Sequence, residues 1–241
     1  VLVLGIESST PRASVAIVTQ SEVVGSYELG RGRSQDEFLM PAAERLLDDA
    51  GVDWQQLGGI AVGLGPGLFT GLRVGVATGK ALAQTLGISI AGLSSLDVLA
   101  HSVRYTRRVI CTCVDARRKE VFWTFYRATP GGVQRLTDFR SAPAEHCANE
   151  IEARGEPVLV VGNGPYLYPD AFSIRTRDIE IAGVADATPT AIPLAELAVA
   201  RLLREDSDRL SDVRPLYVRR SDAEMTFDAA TARSAMKSEG V

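Results

Sequence analysis

Cysteine and lysine are scarce in this chain of 241 residues, and long apolar runs are missing. Three cysteines, Cys111, Cys113 and Cys147, are too few and too unevenly spaced for a disulfide framework, and their odd number fits a reducing compartment. Cys111 and Cys113 stand two apart in "VICTCVDA", which reads as a strand, so they share a face as small core residues. A redox or zinc pair needs two intervening residues and more ligands. Only three of the 26 basic residues are lysines (Lys80, Lys119 and Lys237), a bias assigned to genome composition. The formal net charge of -4 carries no basic block. That excludes a broad sequence-independent nucleic-acid surface built from this chain alone and leaves any RNA contact local or shared. No apolar run reaches membrane-spanning length, and the first residues enter a strand without a charged leader. The expected location is the cytoplasm, away from membranes.

What is present is the composition of an ordinary globular protein, 46% hydrophobic and 23% charged. The length is enough for one large domain or two small ones, and two lobes are expected. "VLVLGIESS" and "ASVAIVTQSEVVGSYEL" read as a three-stranded meander. Ser34 with Glu37 forms a capping-box pattern for a helix that carries Phe38, Leu39, Ala42, Leu46, Leu47 and Ala50, is kinked at Pro41 and ends at Gly51. A strand in "LGGIAVGLGPG", a helix over 70–86, and a strand, turn and helix in "ISIAGLSSLDVLAHSV" complete an α/β lobe over 1–102. A second β-first start at "RVICTCVDARRKEVFWTFYRA" turns at Asp115 to Lys119 and opens a lobe over 103–221. That lobe adds a helix near 143–154, a strand in "PVLVVGNG", a helix near 192–203 and a short strand in "RPLYVRR". Residues 222–241 are expected as a mobile tail.

Gly71, Gly75 and Gly79 recur every four residues inside the helix over 70–86. Each helix-interior glycine costs about 1 kcal/mol relative to alanine, roughly 3 kcal/mol for the three, unless close packing returns it. The strip is flanked by Val74, Thr78 and Leu82. One use is to seat the helix on its own sheet, which physics alone favours; the other is a face for a second protein, because the preceding helix is apolar on more than one side. "GVATGK" fails as a phosphate loop, with three residues between its glycines and alanine after the lysine. A dinucleotide fingerprint fails where Leu68 replaces the third glycine. Only "GPG" remains, ahead of a helix whose free amides can receive an anion.

Read together, "GIESSTPRASVAIV", "GIAVGLGPGLFTGLRVGVATGKALA", "GLSSLDVLA" and "VDARRKEVF" closely resemble the bacterial TsaB (YeaZ-like) family over residues 3–128, with "PLYVRR" as an echo. The resemblance implies two related RNase H-like lobes of the actin/Hsp70/sugar-kinase (ASKHA) superfamily. It implies a non-catalytic partner of TsaD, working with the ATPase TsaE, in transfer of a threonylcarbamoyl group to the adenosine next to the anticodon of tRNAs reading codons that begin with A. The family associates through its two N-lobe helices, with TsaD or with a second copy of itself. Carried over, the partner-binding residues are Phe38, Leu39, Leu46, Gly71, Val74, Gly75, Thr78, Gly79 and Leu82. The resemblance firmly implies no cofactor: ATP or ADP at the TsaB–TsaD interface is left open, and tRNA is reached through the complex. TsaD holds its metal with two histidines four apart on a helix, and this chain has only His101 and His146, so no metal and no catalytic residue is expected.

Three rivals stand beside that reading. A phosphotransferase would use Glu7, Ser8, Ser9, Thr10 and Asp115 with the "GNG" turn at 162–164 around an interlobe cleft that holds ATP. Glu7 replaces the usual aspartate there, and its extra methylene displaces the carboxylate. A hydrolase, or an inactive peptidase-like homologue, would gather Ser8, Ser9, Ser34 or Ser94 with His101 and Asp97, without a nucleophile elbow. A direct RNA-binding module would draw on Arg104, Arg107, Arg108, Arg117 and Arg118, which lack interleaved aromatics.

Overall fold

The continuous apolar runs become central strands buried on both faces. In the computed structural model, which describes residues 1–30, 34–173 and 178–218, the first sheet holds β1 (Leu2–Glu7), β2 (Ala13–Val18), β3 (Val23–Leu29), β4 (Leu57–Gly63) and β5 (Ser89–Leu93). Their order is β3-β2-β1-β4-β5: an antiparallel meander with two strands added parallel to β1. Parallel additions need crossovers, and α1 (Gln35–Ala50) and α2 (Phe69–Leu86) supply them. The second sheet holds β6 (Val109–Arg117), β7 (Glu120–Thr129), β8 (Gly132–Arg135), β9 (Arg140–Pro143), β10 (Val158–Val161) and β11 (Ile179–Ile181). It repeats the pattern: β6, β7 and β8 form the antiparallel meander and β10 and β11 add in parallel on the other side, in the order β11-β10-β6-β7-β8, with β9 on β7. The remaining α-helices among the described residues are α3 (Ser95–Ser102), α4 (Ala144–Ala153), α5 (Gly164–Leu167) and α6 (Ala191–Leu202).

One face of the first sheet presents Leu4, Ile6, Val15, Ile17, Ile60 and Val62 to Leu39, Ala43, Leu46 and Leu47 of α1 and to Val76 and Ala83 of α2. The other face presents Val3, Ala16, Val18, Ala61 and Ala91 to Leu194, Ala195 and Ala198 of α6. The span 103–221, expected to form the second lobe, is therefore divided. After β11 the chain returns to the first sheet, because that sheet's second face is apolar and α6 carries the matching stripe. Beyond α6, Asp208 bridges Ile90 at the β5 edge, Val213 enters the core beside α2, and the Leu216 amide donates to the Leu64 carbonyl at 2.7 Å.

Other local expectations also change. Ser34 precedes α1 without a side-chain capping bond; its hydroxyl engages Asp36 instead, which lowers the Asp36 carboxyl. α1 runs unbroken through Pro41 and stops at Gly51, whose φ of 64° needs no Cβ. Residues 214–218 of "RPLYVRR" are not a strand, and Arg219, Arg220 and the expected tail lie outside the described residues. The three thiols are buried core groups: Cys147 Sγ lies 3.9 Å from Cys111 Sγ and 4.0 Å from Cys113 Sγ. Burial pushes all three thiols up, so they are held protonated and unreactive.

Candidate partner-binding face

The glycine strip faces inward. A Cβ at Gly71 would overlap the Ser8 carbonyl oxygen, one at Gly75 the Ser8 hydroxyl, and one at Gly79 the Val62 side chain. The turn after β1 and the strand β4 come so close to α2 that no side chain fits between them. Ser8 Oγ uses the gap to donate to the Gly71 carbonyl at 2.8 Å. Gly71, Gly75 and Gly79 are thus internal packing positions, which corrects their assignment to a contact surface. Leu39 and Leu46 are corrected likewise, since α1 buries both in the first core. Phe38, Val74, Thr78 and Leu82 remain half-buried at the surface.

Opposite the glycines, α2 turns Thr70, Arg73, Ala77 and Ala81 to solvent. With Val74 and Thr78 they make a low face of small side chains. Ala77, Ala81 and Arg73 escaped the sequence reading, although their spacing from the glycines by about half a turn marks the opposite side of the helix. A groove of about 570 Å³ borders the face where Val213, Arg214, Pro215 and Tyr217 lie along α2. There Tyr217 stacks on Phe69 with ring centroids 5.2 Å apart, Arg73 lies 3.7 Å above the Phe69 ring, and Lys80 Nζ donates to the Val213 carbonyl at 3.1 Å. A depression of about 260 Å³ on the α1 side is lined by Tyr27, Phe38, Pro41, Ala42 and Arg45.

The residues weighed for nucleotide chemistry are separated and engaged elsewhere. Glu7 is fully buried, accepting from the Ser9 amide at 2.7 Å and the Ser95 hydroxyl at 3.0 Å. Burial pushes its carboxyl above the usual range, and the hydrogen bonds from Ser9 and Ser95 pull it partly back. Ser95 in turn accepts from the Gly65 amide at 3.1 Å, so Glu7 ties β1, the glycine loop and α3 together. At "GPG" the Leu68 amide, just ahead of α2, donates to the Ser9 carbonyl at 2.7 Å. Asp115 lies in the second sheet, where its Oδ1 accepts from Tyr168 Oη at 2.6 Å and from the Arg117 amide at 2.8 Å. The "GNG" turn serves the same corner: Asn163 Oδ1 accepts from the Asp115 amide at 2.8 Å. A groove of about 800 Å³ between the lobes is lined by the β2–β3 and β7–β8 turns, His101, Arg104, Tyr105 and Glu196, and none of the nucleotide candidates borders it.

The hydrolase constellation does not assemble either. Ser8 donates to Gly71, and Asp97 holds Arg135 at 2.6 Å and Tyr126 Oη at 2.6 Å. His101 Nε2 faces Glu196 at 3.5 Å, while burial first and Arg104 second push its pKa down to about 4. No helix among the described residues is long and apolar enough to cross a membrane.

Two lobes of one strand order, each a meander extended by parallel strands, give the chain an ASKHA-like fold of two RNase H-like lobes. Residues 32–149 match the family profile described as TsaD, tRNA N6-adenosine threonylcarbamoyltransferase. The chain is 28% identical to the tRNA threonylcarbamoyladenosine biosynthesis protein TsaB of Bacillus subtilis over 224 residues, 92% of this chain and 96% of that protein. It is 30% identical to an uncharacterized protein of Mycobacterium tuberculosis over 223 residues, 92% of this chain and 93% of the other. A solved structure from Pseudomonas aeruginosa, an uncharacterized protein with similarity to peptidase YEAZ, superposes with a TM-score of 0.77 at 27% identity, covering 90% of this chain and 99% of its own. The chain belongs to the TsaB/YeaZ family, which is related to TsaD.

Proposed function

We propose that this chain is a non-catalytic subunit that docks, through the outward sides of α1 and α2, onto a TsaD-type threonylcarbamoyltransferase. It acts in the cytoplasm in making threonylcarbamoyladenosine on tRNA, with TsaE as a further partner, and two copies pair through the same face when TsaD is absent. The observation that carries this reading is the low face of Thr70, Val74, Ala77, Thr78 and Ala81, flanked by a groove on each side. Small side chains let a second helix pair approach closely, and Phe38 and Arg73 at the margins are the residue types that anchor interfaces. Burial of Glu7 beneath the glycine loop further supports a role without phosphoryl chemistry, since its carboxylate is committed to Ser9 and Ser95.

The test is an Ala77→Glu/Ala81→Glu variant. Both positions are exposed, so its melting temperature should stay within about 2 °C of wild type. Co-elution with TsaD, self-association and support of threonylcarbamoyl transfer to tRNA in a reconstituted reaction should all be lost. A variant that still binds TsaD as wild type does refutes the assignment of this face.

A further inference from the structure

The groove between α2 and the segment that follows α6 gathers positive charge that no carboxylate of the described residues opposes. Its lining includes Arg73, Lys80 and Arg214 but no acidic side chain, and α2 itself carries neither aspartate nor glutamate. Arg73 lies over the Phe69 ring while its Nε donates to Tyr217 Oη at 3.2 Å, and Lys80 Nζ donates to the Val213 carbonyl. Those contacts fix both cations in place without neutralising them. Arg214 is exposed and makes no hydrogen bond or ion pair among the described residues, and neither Arg73 nor Lys80 has an acidic partner there. The carboxylate nearest in sequence, Asp212, accepts from the Ser211 hydroxyl at 3.2 Å and does not line the groove. By contrast, three of the arginines weighed for RNA are each opposed by a carboxylate: Arg104 by Glu196 at 3.5 Å, Arg108 by Glu180 at 3.1 Å and Arg117 by Asp115 at 3.7 Å. Apolar side chains, Val76, Ala77, Ala81 and Pro215, make up much of the remaining lining.

We propose that this groove receives a segment of the TsaD-type partner that carries an apolar side chain flanked by carboxylates, which makes the strap of residues 213–217 part of the docking surface. The inference rests on the function proposed above and names the chemistry of its contact. Ala77 and Ala81 belong both to the low face of α2 and to the groove, so a partner lying on that face reaches the groove directly. A small anion or a polyphosphate would answer the cations and leave the apolar lining wet, whereas an acidic peptide segment answers both. A second copy fits less well. An isologous pair sets one face against itself, and the exposed carboxylates of that face, among them Glu37, Glu44 and Asp48, stand on α1, at the margin opposite the strap. With a net charge of -4 the chain as a whole does not attract an acidic partner, so the attraction has to be local.

The test uses the full chain with the TsaD-type subunit of the same organism. Arg214→Glu should melt within about 2 °C of wild type, since the side chain is exposed. Its affinity for the partner should fall about tenfold or more at about 50 mM salt and by less at about 300 mM, where screening weakens attraction and repulsion alike. Arg107→Glu, an equal charge change at an exposed site outside the groove, should bind as wild type does. A zero-length carbodiimide then identifies the occupant, because Lys80 is one of only three lysines in the chain. The expected product is an amide between Lys80 and a carboxyl of the TsaD-type subunit. Arg214→Glu binding as wild type overturns the proposal, and so does a complex in which Lys80 joins no carboxyl, or one from a second copy or from its own chain. If Ala77→Glu/Ala81→Glu releases the partner while Arg214→Glu does not, the docking face stands and the groove assignment alone fails. If the wild-type chain does not bind the TsaD-type subunit, the functional reading itself fails and this contact falls with it.

Discussion

Replacing Gly71 with alanine separates the two uses of the glycine strip by the sign of its effect. On an open helix face the substitution stabilises by about 1 kcal/mol, the difference in helix propensity. Here the new methyl group would overlap the Ser8 carbonyl oxygen and come within 2.8 Å of Gln35 Nε2. Neither neighbour is free to yield, because Gln35 Nε2 donates to the Thr10 carbonyl at 2.7 Å and Ser8 Oγ donates to Gly71 itself. Relieving the overlap means moving backbone, for which overpacking costs about 1–3 kcal/mol, with about 1 kcal/mol more for the disturbed hydrogen bond. After the propensity gain, Gly71→Ala should destabilise by about 1–3 kcal/mol, lowering the melting temperature by roughly 2–10 °C in a chain of this size. Thermal unfolding followed by circular dichroism, with denaturant titration as a second measure, reads the sign. A variant that melts above wild type would show that α2 stands off the β1–β2 turn, and the inward placement of the strip would be wrong.

Glu7→Gln tests the buried carboxyl: with its pKa raised in the fold, the native state keeps a proton that the unfolded chain releases above about pH 4.3, so this group's contribution declines as pH rises. The variant should lose that decline, and a melting profile parallel to wild type from pH 4.5 to 8 counts against the assignment. His101 acts in the opposite direction. Its pKa of about 4 in the fold, against about 6.5 unfolded, removes on the order of 3 kcal/mol as pH falls from 7 to 4. His101→Phe should flatten that acid limb, and an unchanged limb rejects the cause. Asp208→Ala leaves the Gly92 amide and the Arg201 guanidinium short of a partner and should cost about 2–4 kcal/mol by denaturant titration, while the exposed Asp206→Ala should cost under 1 kcal/mol. Equal effects from the two would remove the special role of Asp208.

Strong apolar periodicity made the long elements legible. β1, β2, β4, β6 and β10 are buried runs, α1 and α2 carry repeating apolar faces, and Gly51 stops α1 as its position suggests. β8, β9 and β11, at three or four residues each, are too short for a period to show and depend on their neighbours for pairing. The glycine spacing was visible, but which side of α2 it served turned on how closely the β1–β2 turn approaches, a tertiary fact. The helix α6 could be located by its pattern, whereas the sheet it covers could not, because an amphipathic stripe does not name its partner. The polar break at Asp115 to Lys119 was readable as a turn. Its run of left-handed residues was not, since Arg-Arg-Lys lacks the asparagine or glycine that signals that backbone.

The return of α6 and residues 208–216 to the first sheet sets a timetable for a nascent chain. β5 ends at residue 93, but the layer that covers Val3, Ala16, Ala61 and Ala91 is not complete until residue 202 has been made. At 5–20 residues per second the ribosome needs roughly 5–20 s for that interval, during which an apolar sheet surface stands open to chaperones or to other nascent chains. Domain-by-domain maturation is therefore closed to this protein: its earliest strands wait for some of its last helical turns.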